Sequence, residues 1–141
     1  MMANTQQAAA KAKLEGKSRG KKQLEPDAKH PITVDEFPGR VRVAFNGHLI
    51  ANTANAVRLQ EADYPPVYYI PRHDCDWRLF TPSDHTSHCP YKGEASYFHL
   101  DVDGKRAKDA VWSYEEPNTA VSRIGGFVAF YPDRVDRIEA D

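Results

Sequence analysis

The chain is poor in cysteine, in long apolar runs and, over its first thirty residues, in large aliphatic side chains. Only Cys75 and Cys89 occur among 141 residues, so no disulfide framework is specified, although one bridge across the thirteen residues between them fits the spacing. A reduced setting, the cytoplasm, is the expected location. No window approaches the ~20 apolar residues of a membrane-spanning helix. The N-terminus offers only Gln-Gln-Ala-Ala-Ala before its lysines begin, without the apolar run of a secretory signal. No membrane contact is expected. The sequence also lacks a glycine-rich phosphate loop, a βαβ period and an internal repeat. Gly125-Gly126 has none of the remaining features of a phosphate cradle and reads as close backbone packing.

The scarcity of core material divides the chain. From Met1 to about His30 the only large aliphatics are the two methionines, Leu14 and Leu24, while seven basic side chains face Glu15, Glu25 and Asp27. Such a stretch buries too little apolar area to offset the roughly 1 to 2 kcal/mol per residue that ordering a backbone costs. Residues 1–30 are therefore expected to form a disordered basic tail and residues 36–138 a single domain. The tail lacks interleaved aromatics and arginine clusters, so a nucleic-acid partner is not expected.

What is present after Arg40 is strand chemistry. Val41, Val43 and Phe45 alternate with Arg42 and Ala44, and Asn46-Gly47 follows as a hairpin turn before Leu49 and Ile50. Ala54 to Leu59 suits either a helical turn or a strand. Val67 to Ile70 reads as a short strand closed by Pro71. Glu94 to Val102 alternates up to an Asp103-Gly104 turn, and Ala110–Tyr114 and Gly125–Tyr131 are further aromatic strands. Regular short strands without an amphipathic helix predict a small, mainly β, antiparallel domain with short helical turns.

The densest chemistry lies in Asp84–Tyr97, DHTSHCPYKGEASY. Pro90 fixes φ and Gly93 permits angles closed to other residues, so Lys92 is expected on a tight turn. Thr86 and Ser87 are expected to anchor the loop ahead of it through side-chain to backbone bonds. On a solvated loop Lys92 has little structural purpose, which predicts that Lys92→Ala leaves stability within about 1 kcal/mol.

Five segments, VRVAFNG, YPPVYYIPRHD, DHTSHCPYKGEASY, AVWSYEEP and AFYPDRVD, occur in order between Val41 and Asp136. Together they resemble the domain of unknown function 427 family over about Glu36 to Ile138. That family has carried a nucleotidyltransferase-like label, which no motif of this chain supports independently. The resemblance implies a β-tent arrangement, two antiparallel sheets opening around a pocket, as in methionine sulfoxide reductase B and Yippee-type proteins. The chain lacks the paired Cys-x-x-Cys motifs of the zinc-binding members of that fold. Cys75 and Trp77 stand where aliphatic residues are usual in the family, which makes Cys75 incidental.

Four chemistries can be assembled from these residues. His73, His85, His88, Cys75 and Cys89 include zinc-ligand types, but their spacings match no finger, and no metal is expected. Cys89 is a candidate nucleophile if Lys92, His85 or His88 stabilises its thiolate, against its reading as a small buried hydrophobe. Arg72 and Lys92 are candidates for gripping an anionic or nucleotide-like ligand, with Tyr68, Tyr69, Tyr91, Tyr97 and Trp112 as aromatic walls. The alternative is that the aromatics are core and that Arg72 pairs with Asp74 or Glu61. His85, Asp84 or Glu61 beside Lys92 would suit general acid-base work. The sequence thus predicts a small-molecule pocket around Arg72, Asp74, His85, Cys89 and Lys92, with catalysis, simple binding and any cofactor all left open. A protein-interaction module is the further alternative, marked by an exposed aromatic patch.

Overall fold

The computed structural model describes residues 23–141; of the tail expected to be disordered over residues 1–30, residues 1–22 lie outside the described residues, whereas residues 24–30 are held by bonds from Leu24 N to Pro90 O and from His30 to Glu61. Among the described residues ten strands follow in order: β1 (Ile32–Glu36), β2 (Val41–Phe45), β3 (His48–Thr53), β4 (Val57–Glu61), β5 (Val67–Tyr69), β6 (Phe80–Cys89), β7 (Gly93–Val102), β8 (Lys105–Tyr114), β9 (Val128–Phe130) and β10 (Arg137–Ala140). The domain is mainly β, with 3-10 turns between the strands. Both hairpin signals hold: Asn46 and Gly47 have φ of 49° and 78°, Asp103 and Gly104 of 49° and 81°. Positive φ at both central residues is what a two-residue turn between right-twisted strands requires.

The ambiguous Ala54–Leu59 segment resolves into β4, and β1 and β10 add strands that the sequence did not mark. The larger correction is β6. The segment before Cys89, read as a loop anchored by Thr86 and Ser87, is the second half of a ten-residue strand. Its ladder with β7 slips between Pro82 and Thr86. A proline has no N–H to donate, and it is accommodated here because β6 is an edge strand and the pairing is irregular beside it.

The ladders are antiparallel, in the orders β9-β8-β7-β6, β10-β2-β3 and β1-β4-β5. Ile70 and Val128 exchange both backbone hydrogen bonds, at 2.8 and 2.9 Å, and so join the end of β5 to the start of β9. The β1-β4-β5 ladder and the four-stranded sheet therefore meet along one edge, like the two slopes of a tent. Register across the four-stranded sheet aligns Tyr97, Trp112 and Ala129 on one side and Phe98, Val111 and Phe130 on the other. Because neighbouring strand residues point to opposite faces, the sheet bears two cores. The Val111 side packs on β2 and β3 through Val43, Phe45 and Ile50, with Leu100 and Phe130. The Trp112 side faces β4 and β5 and gathers Leu59, Tyr69, Cys89, Tyr97, Trp112 and Tyr114.

Candidate functional site

Strand β4 carries Val57, Leu59 and Glu61 on the face that meets this second core, so its alternation buries a carboxylate along with two aliphatics. The β6–β7 turn brings Lys92 to it. Lys92 N bonds Cys89 O at 3.2 Å, and Asn118 fixes the turn from outside, its N donating to Lys92 O at 3.0 Å and its Nδ2 to Pro90 O at 2.9 Å. Gly93 leaves the turn at φ +113°, an angle L side chains rarely adopt. The result is an ion pair between Lys92 Nζ and Glu61 Oε1 in which each side chain is only 11% exposed. Lys92 is thus not a solvated turn residue. A tight turn need not point outwards, and this one presses its cation into the protein.

Glu61 is satisfied twice, since His30 Nε2 donates to Oε2 at 2.7 Å. Burial pushes the Glu61 carboxyl up, but the charge of Lys92 and the bonds from Lys92 and His30 outweigh it and hold the group below its ordinary value. Burial likewise opposes the Lys92 charge, yet Cys89, Tyr69 and Glu61 around it raise Lys92 above its ordinary value. Burial pushes the Tyr69 phenol up to about 12. Its hydroxyl accepts from Trp112 Nε1 at 3.2 Å. Cys89, 8% exposed and unbridged, completes the group. A second polar set lies further along the same face, where Ser87 and Tyr97 share a 2.8 Å hydrogen bond and Tyr131 lies 3.5 Å from the Tyr97 hydroxyl. His85 tilts over the Tyr97 ring at 4.4 Å and is exposed.

The other predicted residues stand elsewhere. Arg72 lies across the sheet: its Nε donates to Gly126 O at 2.7 Å, its Nη2 to Ser113 Oγ at 3.0 Å and to Glu115. Its guanidinium also faces the Trp77 and Phe98 rings, at 5.1 and 5.5 Å. Its carboxylate partner is Glu115, neither Asp74 nor Glu61. Asp74 accepts from Thr53 Oγ1 at 2.6 Å. Tyr68 packs edge-on against Phe37, outside the Lys92 cluster. Tyr91 stacks on His30 at 4.0 Å with planes 10° apart. Cys75, beside Asp74, has its thiol pushed up to about 12 by burial and then by that carboxylate. Among the described residues no three His, Cys, Asp or Glu side chains are grouped to hold a metal ion, and no helix is long and apolar enough to cross a membrane. An open groove of about 500 Å³ runs beside the turn, lined by Thr86, Glu94, Ser96, Glu115 and Asn118 among others.

The structure therefore brings Cys89, Lys92, Tyr69 and Trp112 together, places Tyr97 and His85 further along the same wall, and separates Arg72 and Asp74 from them. The partners that sequence reasoning missed are His30 and Asn118. From the sequence Glu61 reads as an acid or base beside Lys92 or as a partner of Arg72; in the structure it is the buried partner of Lys92. A charge on the apolar face of an alternating strand was the available signal for Glu61; nothing local marks the other two.

With this geometry in place the comparison is informative about kinship. The chain belongs to the family described as Domain of unknown function (DUF427), whose model, labelled NTP_transf_9, matches residues 33–141. No curated protein matches the chain.

Proposed function

We propose that the interior cluster of Lys92, Glu61, Cys89 and Tyr69 is a small-molecule site that receives the anionic or acceptor group of a ligand at the Lys92 ammonium. The observation that carries this reading is the state of that ammonium. It has three N–H donors, yet among the described residues Glu61 is its one hydrogen-bond partner, in a site where buried donors are normally paired. A buried ion pair is also weak evidence for stability, since apolar side chains of similar volume often serve the fold as well. Charged groups with shifted pKa values beside a thiol and a phenol are, by contrast, characteristic of sites.

In this reading Tyr69, Tyr97 and Trp112 are the aromatic walls, Lys92 meets the ligand's anion, and Glu61 keeps Lys92 charged and in place. Cys89 adds a thiol to the same site, so that a reactive ligand would meet a nucleophile there. In this reading Arg72, bonded to Gly126, Ser113 and Glu115, stands outside the site and holds β8, β9 and the chain after β5 together. Two unbridged cysteines support a reducing, cytoplasmic setting.

Native mass spectrometry of the purified protein, followed by melting curves with inorganic phosphate, succinate and adenosine monophosphate, tests the reading. At least one anion is expected to raise the melting temperature of the parent and not of a Lys92→Met/Glu61→Leu double variant. No shift with any anion and no co-purified small molecule, or an equal shift in the double variant, would remove the site.

A further inference from the structure

The chain ahead of β1 runs over the Lys92–Glu61 pair. Leu24 N donates to Pro90 O at 2.9 Å. Asp27 and His30 close a small turn on each other, with Asp27 Oδ1 accepting from Lys29 N and His30 N at 2.9 Å each. The His30 ring then stacks on Tyr91, meets the edge of Tyr64 at 6.3 Å, and donates to the Glu61 oxygen that Lys92 leaves. Every one of these domain contacts beyond Tyr64 falls on the β6–β7 turn or on Glu61.

We propose that Leu24–His30 is a detachable cover over the Lys92–Glu61 pair, latched by His30, and that its release opens the way to Cys89. The attachments support this. Among the described residues, Leu24–His30 is held to the domain by one backbone bond, one side-chain bond and the His30 ring contacts, whereas β1 from Ile32 onward is paired residue by residue with β4. A segment with so few bonds opens at far lower cost than a strand in a ladder. Its internal Asp27–His30 turn lets it move as a unit, with the latch at its end. The segment also precedes the family match, which begins at residue 33, while the pair it covers lies within it. The cover thus controls access to the site proposed above and rests on that reading for its purpose, though not for its test.

The test is the rate at which iodoacetamide labels Cys89 in the full chain carrying Cys75→Ser. His30→Ala is expected to raise that rate about tenfold, as loss of a local closing contact should, with amide-exchange protection at Leu100 and Val111 unchanged. His30→Gln, which restores an N–H donor, is expected to label more slowly than His30→Ala. An unchanged rate in His30→Ala overturns the cover, and so does a faster rate accompanied by lost protection in the core, which would report global opening. Because no ligand enters the assay, a protein that binds none of the anions named above can still pass it, and one that binds them can still fail.

Discussion

Glu61 holds Lys92 with one carboxylate oxygen and His30 with the other, and neither Glu61 nor Lys92 has more than about a tenth of its side chain in solvent. This shared carboxylate ties three separate stretches together: the end of β4, the β6–β7 turn and the segment ahead of β1. The chemistry of the site and the closure of the fold at that end are consequently the same interaction.

Breaking the pair should be costly and replacing it should not. Lys92→Ala leaves a buried carboxylate with His30 alone, and an unpaired buried charge typically costs about 3 to 5 kcal/mol. Lys92→Met/Glu61→Leu is expected to recover most of that loss, because similar volume without charge needs no partner. Urea denaturation of the parent, the single and the double variant measures both. A single variant within 1 kcal/mol of the parent would return Lys92 to the role of a surface residue.

The pair also sets a pH profile. Glu61 lies below its ordinary value of 4.5, so its contribution is present above pH 4.5 and fades as pH falls through its lowered folded value. Lys92 lies above its ordinary 10.5, so its contribution is present below pH 10.5 and fades as pH rises through the raised value. Unfolding free energy of the parent minus that of the double variant should therefore be level between these limits and drop on either side. A flat difference across the acid limb would count against a charged Glu61 in the native state.

Arg72 should behave as a structural residue. Its donors to Gly126 O, Ser113 Oγ and Glu115, together with its place against Trp77 and Phe98, predict a loss of about 2 kcal/mol for Arg72→Ala. Arg72→Lys should recover only part, since an ammonium cannot reproduce the planar fork. Melting temperature with and without an anion that binds the parent separates the roles: the baseline should fall while the ligand-induced shift persists.

Asn118 is expected to matter through the turn. Asn118→Ala removes the Nδ2 bond to Pro90 O and costs about 1 kcal/mol. Amide exchange at Tyr91 and Lys92 should accelerate while that at Val111 does not. Uniform acceleration would mean that Asn118 supports the whole domain and not the turn.

The sequence by itself determined what is local in sequence. Asn46-Gly47 and Asp103-Gly104 impose hairpins because few dipeptides accept positive φ at both positions, and Val41–Phe45 forms a strand because its alternation fits a half-buried ladder. Pro90 and Gly93 likewise fix the turn that carries Lys92. Composition and turn chemistry were sufficient for a mainly β domain, and five ordered motifs for the family. The direction of Lys92 was not legible, because a turn's conformation depends on its own residues whereas its burial depends on β4, thirty-one residues away. The split between Arg72 and Lys92 was equally hidden. It follows from the register that sets Trp112 and Ser113 on opposite faces of one sheet, and register is decided by the partner strands. Pro82 within β6 is accommodated for the same reason, since whether a proline ends a strand depends on whether that strand lies at an edge. His30 carries no local signal at all; its role arises when the segment ahead of β1 meets the β6–β7 turn, and that meeting exists only in the folded protein.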